Sequence, residues 1–439
     1  MIECLKQLID LMQTHGATRF YAKRLAPNDN SKNQIYLGGD FSALNVLPHG
    51  EIYTDDGSQG GGRRDRAKAS LDFWWLSAAG LDRAPHANLI LYPKYPEVRF
   101  SGFLKGCKNS PSKILTVRDE GRVLVLGVAP EGRVLGFAVE ADHPIAREVR
   151  LSQWQMIGVF DLLPAGKEKR TSRSILLSEL RRIYELNWIL SQKLAPDGTK
   201  HPYAARNGGG YTLEAELGVS PNGYAEPDFL GWEIKQYGVA DFKSFRPKSP
   251  VTLMTPEPTG GLYREKGPDT FVMSYGYPDK SGKPDRMNFG GVYACGKTFH
   301  KETGLQLELV GYDSENDKIT DMDGAIALVS NEGKLAASWA FKSLMKHWNR
   351  KHAQAAYVPS LYKHPPPQYS YGPKALLCER TDFLMYLKAV SAGLVYYDPG
   401  IKLEKVSTRA PKLKRRSQFR VKHSELHGLY EETVTENLL

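Results

Sequence analysis

The segment EPDFLGWEIK, residues 226–235, combines the apolar alternation of a half-buried β-strand with an unusual concentration of charge. It contains Asp228, Glu233 and Lys235. Because side chains two residues apart in a strand point to the same side, Glu233 and Lys235 are expected to share one face. The segment therefore predicts a strand whose charged side chains converge at one end of a sheet.

Two neighbouring carboxylates repel each other unless a cation lies between them. Mg²⁺ is a hard cation that takes oxygen ligands, so Asp228 and Glu233 are candidate Mg²⁺ ligands. The ion would bind a scissile phosphate and activate a water molecule, while Lys235 would orient that water and stabilise the developing charge. Glu214, after a glycine-rich segment, is a further candidate ligand, with Glu216 as a substitute. An exposed strand edge with Lys–Glu pairing explains the same spacing, and both interpretations stay open at this point.

The bulk composition is that of a basic globular protein. The chain has 439 residues, 41% hydrophobic and 10% aromatic, which is long enough for two or three domains. Lys and Arg number 59 against 49 Asp and Glu, and the net charge of +10 favours a polyanionic partner such as double-stranded DNA. The four cysteines have no metal-binding spacing, which favours a reduced, cytoplasmic protein. No apolar run is long enough to predict a transmembrane helix.

The chain is predicted to have two domains. Residues 1–160 form a mostly β domain, 161–174 a polar linker, 175–425 a domain of strands and helices, and 426–439 a C-terminal tail. Two helices are predicted in the second domain, at Ile175–Leu194 and Leu335–Ala356. Short strands at this density are typical of a barrel or sandwich, and in the first domain we expect them at Arg19–Leu25, Gln34–Leu37, Asn88–Tyr92, Val98–Gly102, Arg122–Val128 and Arg133–Glu140.

Two basic segments stand out in the second domain. The predicted helix around KHWNRKH carries Lys346, His347, Arg350 and Lys351, which are candidate DNA phosphate contacts. The segment Lys405–Lys422 holds eight basic residues and no acidic ones. It is interpreted either as a solvated tail or as a phosphate-contacting segment.

The second domain resembles the PD-(D/E)-x-K nuclease superfamily, and more narrowly the MvaI/BcnI restriction endonucleases and the MutH mismatch-repair nickase. The resemblance is carried by TLEAELG (212–218), EPDFLGWEIK (226–235), VTLMTPEPTGG (251–261), MNFGGVYACG (287–296) and ASWAFKSLMKHWNRKHAQAAYVP (337–359). It implies a restriction-endonuclease-like α/β domain with a central mixed sheet that hydrolyses DNA with Mg²⁺ as a monomer. The catalytic set that it implies is Glu214, Asp228, Glu233 and Lys235, and the DNA contacts in its recognition lobe are Arg264, Arg286 and Asn288.

The segment YAKRLAPNDNSKNQIYLGG (21–39) resembles the opening of the DNA-binding pseudobarrel of EcoRII-type effector domains and plant transcription factors. In that fold two arms grip the major groove, where Asn and Gln can read adenine and Arg can read guanine. The resemblance assigns to the first arm Lys23, Arg24, Asn28, Asp29, Asn30, Ser31, Lys32, Asn33 and Gln34. The segment GGGRRDRAKAS would supply the second with Arg63, Arg64, Arg66 and Lys68.

The combined expectation is an α+β chain in which an N-terminal β-pseudobarrel is joined to a nuclease domain. Its expected activity is that of a Type II-like restriction endonuclease, with sequence-specific, Mg²⁺-dependent cleavage of double-stranded DNA. Two alternatives remain, a non-catalytic DNA-binding regulator and a MutH-like nickase that depends on mismatches or hemimethylation.

Overall fold

The computed structural model describes residues 2–27, 34–55, 66–77, 80–94, 96–164, 171–205, 207–221 and 227–439. The chain divides into two compact units, Met1–Leu177 and Ser178–Leu439. Within the described ranges, no helix has the length and apolar character needed to cross a bilayer.

The first unit is built mainly from strands. Its helices are α1 (Leu5–Thr14), α2 (Ala43–Val46), α3 (Ser112–Leu115) and α4 (Pro144–Leu151). Its strands are β1 (Arg19–Arg24), β2 (Gln34–Tyr36), β3 (Ile52–Thr54), β4 (Ala67–Ser70), β5 (Asp72–Ser77), β6 (Gly80–Arg83), β7 (Asn88–Tyr92), β8 (Glu97–Ser101), β9 (Val123–Val128), β10 (Arg133–Val139), β11 (Gln155–Ile157) and β12 (Phe160–Leu163). The strands predicted for this region are present as β1, β2, β7, β8, β9 and β10, with ends that differ by one residue or less.

These strands form two sheets, and apolar side chains of one sheet pack against those of the other. One has the order β11-β12-β1-β9-β10-β5-β6 and the other β2-β8-β7-β4-β3, and neither path closes on itself in the described part of the unit. Helices α1 and α4 cover one face of the first sheet, where Met12 and Val149 are buried in the same cluster as Phe20. Phe73 of the first sheet packs against Phe100 of the second, with ring centroids 4.9 Å apart. The unit is therefore a layered α+β structure.

The second unit has more helices and several smaller sheets. Its helices are α5 (Ser172–Glu185, which spans the division between the units), α6 (Gly208–Glu216), α7 (Leu262–Glu265), α8 (Pro268–Tyr275), α9 (Phe341–His352) and α10 (Phe383–Ser391), with a 3₁₀ helix at His423–Leu429. Its strands are β13 (Ile189–Leu190), β14 (Gln192–Leu194), β15 (Lys200–Pro202), β16 (Glu233–Gly238), β17 (Val251–Met254), β18 (Tyr277–Pro278), β19 (Arg286–Gly290), β20 (Leu305–Val310), β21 (Tyr312–Asp313), β22 (Lys318–Ile319), β23 (Ala325–Ser330), β24 (Leu335–Ala340), β25 (Gln354–Lys363), β26 (Gln368–Tyr371), β27 (Lys374–Glu379), β28 (Val395–Tyr397), β29 (Gly400–Glu404), β30 (Lys412–Lys414), β31 (Phe419–Val421) and β32 (Glu432–Asn437).

A mixed sheet lies at the centre of this unit, as predicted. Its strands run in the order β13-β26-β25-β27-β32, and β16 pairs with β25 off this path. The β16–β25 pair is parallel, with Glu233 opposite Ala355 and Lys235 opposite Tyr357, whereas the other pairs of the sheet are antiparallel. The strand that carries Glu233 and Lys235 is therefore held along its length by the buried strand β25.

The predicted helix at Leu335–Ala356 is wrong at both ends. Residues Leu335–Ala340 form β24, which pairs with β23, and only Phe341–His352 is helical before the chain enters β25 at Gln354. Alanines and leucines favour a helix locally, but here the backbone pairing and burial of Trp339 in a sheet outweigh that preference.

The predicted helix at Ile175–Leu194 is also too long. Helix α5 ends at Glu185, and Asn187 takes a left-handed backbone conformation with φ of 58°. Asn tolerates this conformation better than most residues, so it ends the helix and lets the chain enter β13 and β14.

Two of the predicted segment boundaries need correction. Residues 161–163 of the predicted linker belong to β12, which pairs with β1 and places Leu163 opposite Phe20. Residues 426–439 are not a separate tail, because β32 adds to the central sheet beside β27. Leu426, Leu429 and Leu438 are buried, so this segment is part of the core of the second unit.

Candidate active site

A tight turn, rather than a longer strand, connects Asp228 to Glu233. Phe229 and Trp232 pair as an isolated antiparallel bridge, and Leu230 and Gly231 between them have left-handed φ angles of 49° and 90°. The predicted strand therefore begins only at Glu233, after the turn. The carboxylate of Asp228 accepts a hydrogen bond of 2.9 Å from the backbone N–H of Ile234, which ties Asp228 to the start of β16.

The carboxylate of Glu233 is the most deeply buried charge of the site, with 1% of its side chain exposed. Its Oε1 atom lies 2.5 Å from Lys235 Nζ on the same strand face, as the strand period predicts. The same Oε1 atom lies 3.4 Å from Lys351 Nζ, which reaches it from helix α9. Among the described residues, the buried Oε2 atom has no hydrogen-bond partner.

Burial and charge act in opposite directions on this pair. Burial raises the pKa of Glu233, whereas the ammonium group of Lys235 opposes that rise. Burial alone would lower the pKa of Lys235, but the carboxylates of Glu233, Asp228 and Glu214 together outweigh it, and the pKa of Lys235 is raised. At neutral pH the lysine is therefore a cation held at the carboxylate.

Lys351 is the site residue that the sequence does not predict in this place. The basic pattern of α9 predicts a role for it towards DNA phosphate, whereas the structure pairs it with Glu233. The two residues lie far apart in the chain and meet because α9 leads directly into β25, the parallel neighbour of β16. No local sequence pattern contains that information.

Glu214 approaches from helix α6, and the glycines before it allow the close approach. A Cβ atom at Gly209 would lie 2.7 Å from Gln236 Oε1 of β16 and 3.0 Å from the ring of Tyr369, so a larger residue would push the helix away. The Gly209 carbonyl also accepts a hydrogen bond of 2.7 Å from the Tyr371 hydroxyl. The glycine-rich segment therefore serves helix–sheet packing.

The electrostatic environment places Glu214 with the other carboxylates. Burial raises the pKa of Glu214 to about 7, the charges of Asp228 and Glu233 add to this rise, and Lys235 and Lys351 oppose it. The four predicted catalytic residues therefore share one electrostatic cluster, joined by Lys351.

Glu216, considered as a substitute for Glu214, faces elsewhere. Residues two apart on a helix do not share a face. The Glu216 Oε1 atom lies 2.7 Å from Lys200 Nζ, and Oε2 lies 3.6 Å from Arg182. Glu216 is thus excluded from the cluster around Glu233.

The donor set around Glu233 fits a hard divalent cation. A buried carboxylate oxygen with no hydrogen-bond partner is costly unless another group, such as a metal ion, compensates it. Asp228 and Glu233 supply the oxygen ligands that Mg²⁺ prefers. Across the described ranges, three or more His, Cys, Asp or Glu side chains do not gather as a metal site, so a preformed three-carboxylate cage is absent there.

Comparison with known families shows the family to which this chain belongs. A model of the MvaI/BcnI restriction endonuclease family matches residues 177–430, which is more than half of the chain. The chain belongs to the MvaI/BcnI restriction endonuclease family. The match includes every member of the cluster around Glu233, and residues 1–176 lie outside it. As a restriction endonuclease family, its members are DNA-cleaving hydrolases.

The chain is also similar to solved structures of the restriction endonuclease MvaI. One is the complex of MvaI with its cognate DNA substrate, at 17% identity and a TM-score of 0.44, covering 62% of this chain and 100% of that one. Another is MvaI in the absence of DNA, at 17% identity and a TM-score of 0.34, covering 61% of this chain and 99% of that one. No curated protein matches the chain.

The predicted DNA contacts of the second unit fall into two groups. Arg264 is exposed on α7, and Lys346 and Arg350 are half-buried on α9. Arg286 and Asn288 are instead tied into the protein. Arg286 pairs with Glu404 and lies 3.4 Å from Asp279, and the Asn288 amide donates a hydrogen bond of 2.9 Å to the same Asp279.

His347, predicted to contact DNA phosphate, does not carry a positive charge at neutral pH. Burial lowers the pKa of His347 to about 4, and the charges of Lys351 and Lys235 contribute to the decrease. The imidazole is therefore neutral at pH 7. A neutral imidazole can donate one hydrogen bond to a phosphate but brings no positive charge.

We expect His347→Gln to change stability in a pH-dependent way. The pKa of His347 is about 4 in the folded protein and about 6.5 in the unfolded chain. Below pH 6.5 the unfolded chain binds a proton that the folded protein does not, so His347 lowers the stability of the wild type as the pH falls. The free energy of unfolding of the variant, relative to that of the wild type, should rise by about 2 kcal/mol between pH 8 and pH 5. Urea unfolding at both pH values measures this, and His427→Gln, which changes an exposed histidine, is the control. A difference that is independent of pH would contradict the expectation.

The predicted contacts of the first unit are only partly described. Asn28, Asp29, Asn30, Ser31, Lys32, Asn33, Arg63 and Arg64 lie outside the described residues. Lys23 is 7% exposed and donates to the Arg24 carbonyl, and Arg24 lies 2.8 Å from Asp161.

The remaining contacts of the first unit are also engaged within it. The Gln34 amide oxygen accepts a hydrogen bond from Arg99, and Arg66 and Lys68 pair with Asp55. Lys23 is buried on β1, which lies inside the sheet, and its contact with DNA stays a prediction.

Proposed function

We propose that this protein is a sequence-specific, Mg²⁺-dependent endonuclease that hydrolyses phosphodiester bonds of double-stranded DNA and acts as a monomer. Its membership of the MvaI/BcnI family supports the class of reaction. The observation that carries the proposal is the Glu233 carboxylate, buried beside Asp228 and Lys235 with one oxygen that has no hydrogen-bond partner among the described residues.

The roles proposed for the site residues follow from their chemistry. Asp228 and Glu233 would hold the metal ion, with Glu214 beside them. The bound ion would polarise the scissile phosphate and lower the pKa of an attacking water. Lys235, a cation at neutral pH, would orient that water and stabilise the negative charge that grows on the phosphate. Lys351 would hold the Glu233 carboxylate in position.

We also propose that the first unit is a second DNA-binding module, of the pseudobarrel type, used for recognition or regulation. Its resemblance through residues 21–39 supports this. The contacts proposed for this unit are those named from the sequence; in this structure Lys23 is buried and Arg24 is paired with Asp161.

The test is incubation of the full chain with plasmid and bacteriophage DNA, modified and unmodified, with Mg²⁺ or with EDTA. We expect discrete fragments with Mg²⁺ and intact DNA with EDTA, and mapping the ends on a sequenced genome would give the target. Discrete ends would separate a sequence-specific enzyme from a general nuclease. If no substrate is nicked or cut, the proposal is wrong.

Other outcomes would point to the alternatives. Cleavage restricted to mispaired or hemimethylated duplexes would indicate a nickase of the MutH kind. DNA binding without cleavage, unaffected by Glu233→Ala, would indicate a non-catalytic regulator.

A further inference from the structure

The sheet formed by β18, β19, β29 and β30, in that order, has one apolar and one charged face. Strand alternation puts Phe289, Ile401 and Leu403 on the inner face, where all three are buried. The residues between them therefore point to solvent. On β29 and β30 these include Lys402, Lys412 and Lys414, all of which are exposed.

The register brings the basic residues of this face together. Lys402 lies directly opposite Lys414, and Asn288 of β19 lies opposite Lys402 on the other side. Arg416 continues the face, because its backbone carbonyl accepts a hydrogen bond from Gly400 and its Cδ atom would lie 3.4 Å from a Cβ atom at that glycine. Lys402, Lys412, Lys414 and Arg416 are called the basic face below.

The acidic groups of the sheet do not neutralise the basic face. Glu404 pairs with Arg286 and lies 3.0 Å from Lys414, and Asp279 also contacts Arg286. This network balances two carboxylates against two cations. Lys402 and Lys412 have no ion-pair partner among the described residues, so with Arg416 they remain as surplus positive charge.

Protection of a sheet edge does not account for this arrangement. Lysines on an edge strand such as β30 discourage pairing with another chain. Lys402, however, lies on β29, between β19 and β30. Like charges directly opposite each other on neighbouring strands destabilise a sheet. Lys402 lies opposite Lys414 in this way, Glu404 compensates part of the repulsion, and a polyanion that covers the face would offset the rest.

We propose that the basic face binds the phosphate backbone of double-stranded DNA. The proposal rests on the proposed function, since it supplies that function with a surface for its substrate. The basic face lies on the same side of the sheet as Asn288. Lys412 and Lys414 of the basic Lys405–Lys422 segment are therefore part of a sheet and not of a solvated tail. Because the contacts are to phosphate, they position the duplex and carry no sequence information.

The test compares Lys402→Gln/Lys412→Gln with wild type in binding a fluorescent duplex of arbitrary sequence in EDTA, by anisotropy at several salt concentrations. Each lost phosphate contact lowers the salt dependence of log K by about 0.9, so we expect a decrease of about 1.8 in slope. Affinity at low salt should fall roughly 10- to 100-fold. Lys402→Arg/Lys412→Arg should keep both values, because the positive charge is retained.

Lys301→Gln/Lys318→Gln is the control, since it removes the same charge from exposed lysines outside this sheet. Wild-type affinity and salt dependence in Lys402→Gln/Lys412→Gln would overturn the inference, as would an equal loss in the control. Absence of duplex binding by the wild-type protein would overturn it as well. If the wild type binds DNA through the basic face but never cleaves it, the proposed nuclease function fails and the inference stands.

Discussion

Glu233→Gln is expected to lower DNA cleavage by about 10³-fold or more. The substitution keeps the shape of the side chain but removes the negative charge that a divalent cation needs, and it replaces Oε2 or Oε1 by an amide that donates rather than accepts. It also leaves Lys235 and Lys351 without their shared carboxylate. Cleavage of plasmid DNA over time measures the rate, and titration with Mn²⁺ by calorimetry measures metal binding. Both should fall together, while circular dichroism at low temperature reports whether the fold is kept.

Glu216→Gln is the matched control for that variant. Glu216 is similarly shielded and also paired with basic side chains, but those are Lys200 and Arg182, away from the cluster. Its cleavage rate and Mn²⁺ affinity should match wild type. Equal losses of cleavage in the two variants would show that Glu233 has no special role, and full cleavage by Glu233→Gln would remove the proposed metal site.

The sequence predicts the parts of the fold that depend on local alternation. In the first unit, strands such as Val123–Val128 and Arg133–Val139 follow from runs of β-branched and apolar residues bounded by turn residues. Segments whose state depends on distant partners are predicted less well. The residues Leu335–Ala340 have helical preferences but lie in a sheet, because β23 is available to pair with them.

The candidate site shows the same division. The shared face of Glu233 and Lys235 follows from the strand period alone and is present in the structure. The turn at Leu230 and Gly231 could have been suspected from the glycine, since such residues supply left-handed conformations. By contrast, the approach of Lys351 depends on the parallel pairing of β16 with β25, which the composition of neither segment indicates.

The sequence does not predict which basic side chains are paired within the protein, because ion pairing depends on partners that are distant in the chain. Arg286 is a basic residue in a polar region, yet its partners Asp279 and Glu404 occupy it within the protein. Lys402, in contrast, has no such partner in the described ranges and was not distinguished by any motif. The surplus of charge on a face becomes visible only when the register of its strands is known.

Lys351→Met is expected to lower cleavage by about 10²-fold without loss of metal binding. Its ammonium group lies 3.4 Å from Glu233 Oε1 and, together with Lys235, compensates the buried carboxylate. Without Lys351 the carboxylate is less well compensated and less firmly positioned. Removing a cation near the metal site also removes its repulsion of a divalent ion, so Mn²⁺ affinity should stay equal or increase. Cleavage rates and Mn²⁺ calorimetry therefore separate this variant from Glu233→Gln, in which both quantities fall.

Lys342→Met is the control for Lys351→Met because it removes a lysine from the same helix. Lys342 pairs with Asp323 at the start of α9, away from Glu233, so its loss should leave cleavage unchanged. Lys351→Arg should recover part of the activity, since the charge is kept although the geometry of the donor changes. A purely structural role for Lys351 predicts a different pattern, in which cleavage, metal affinity and unfolding midpoint decline together and Arg restores none of them. Reduced cleavage with undiminished metal affinity is the result that assigns Lys351 to the positioning of Glu233.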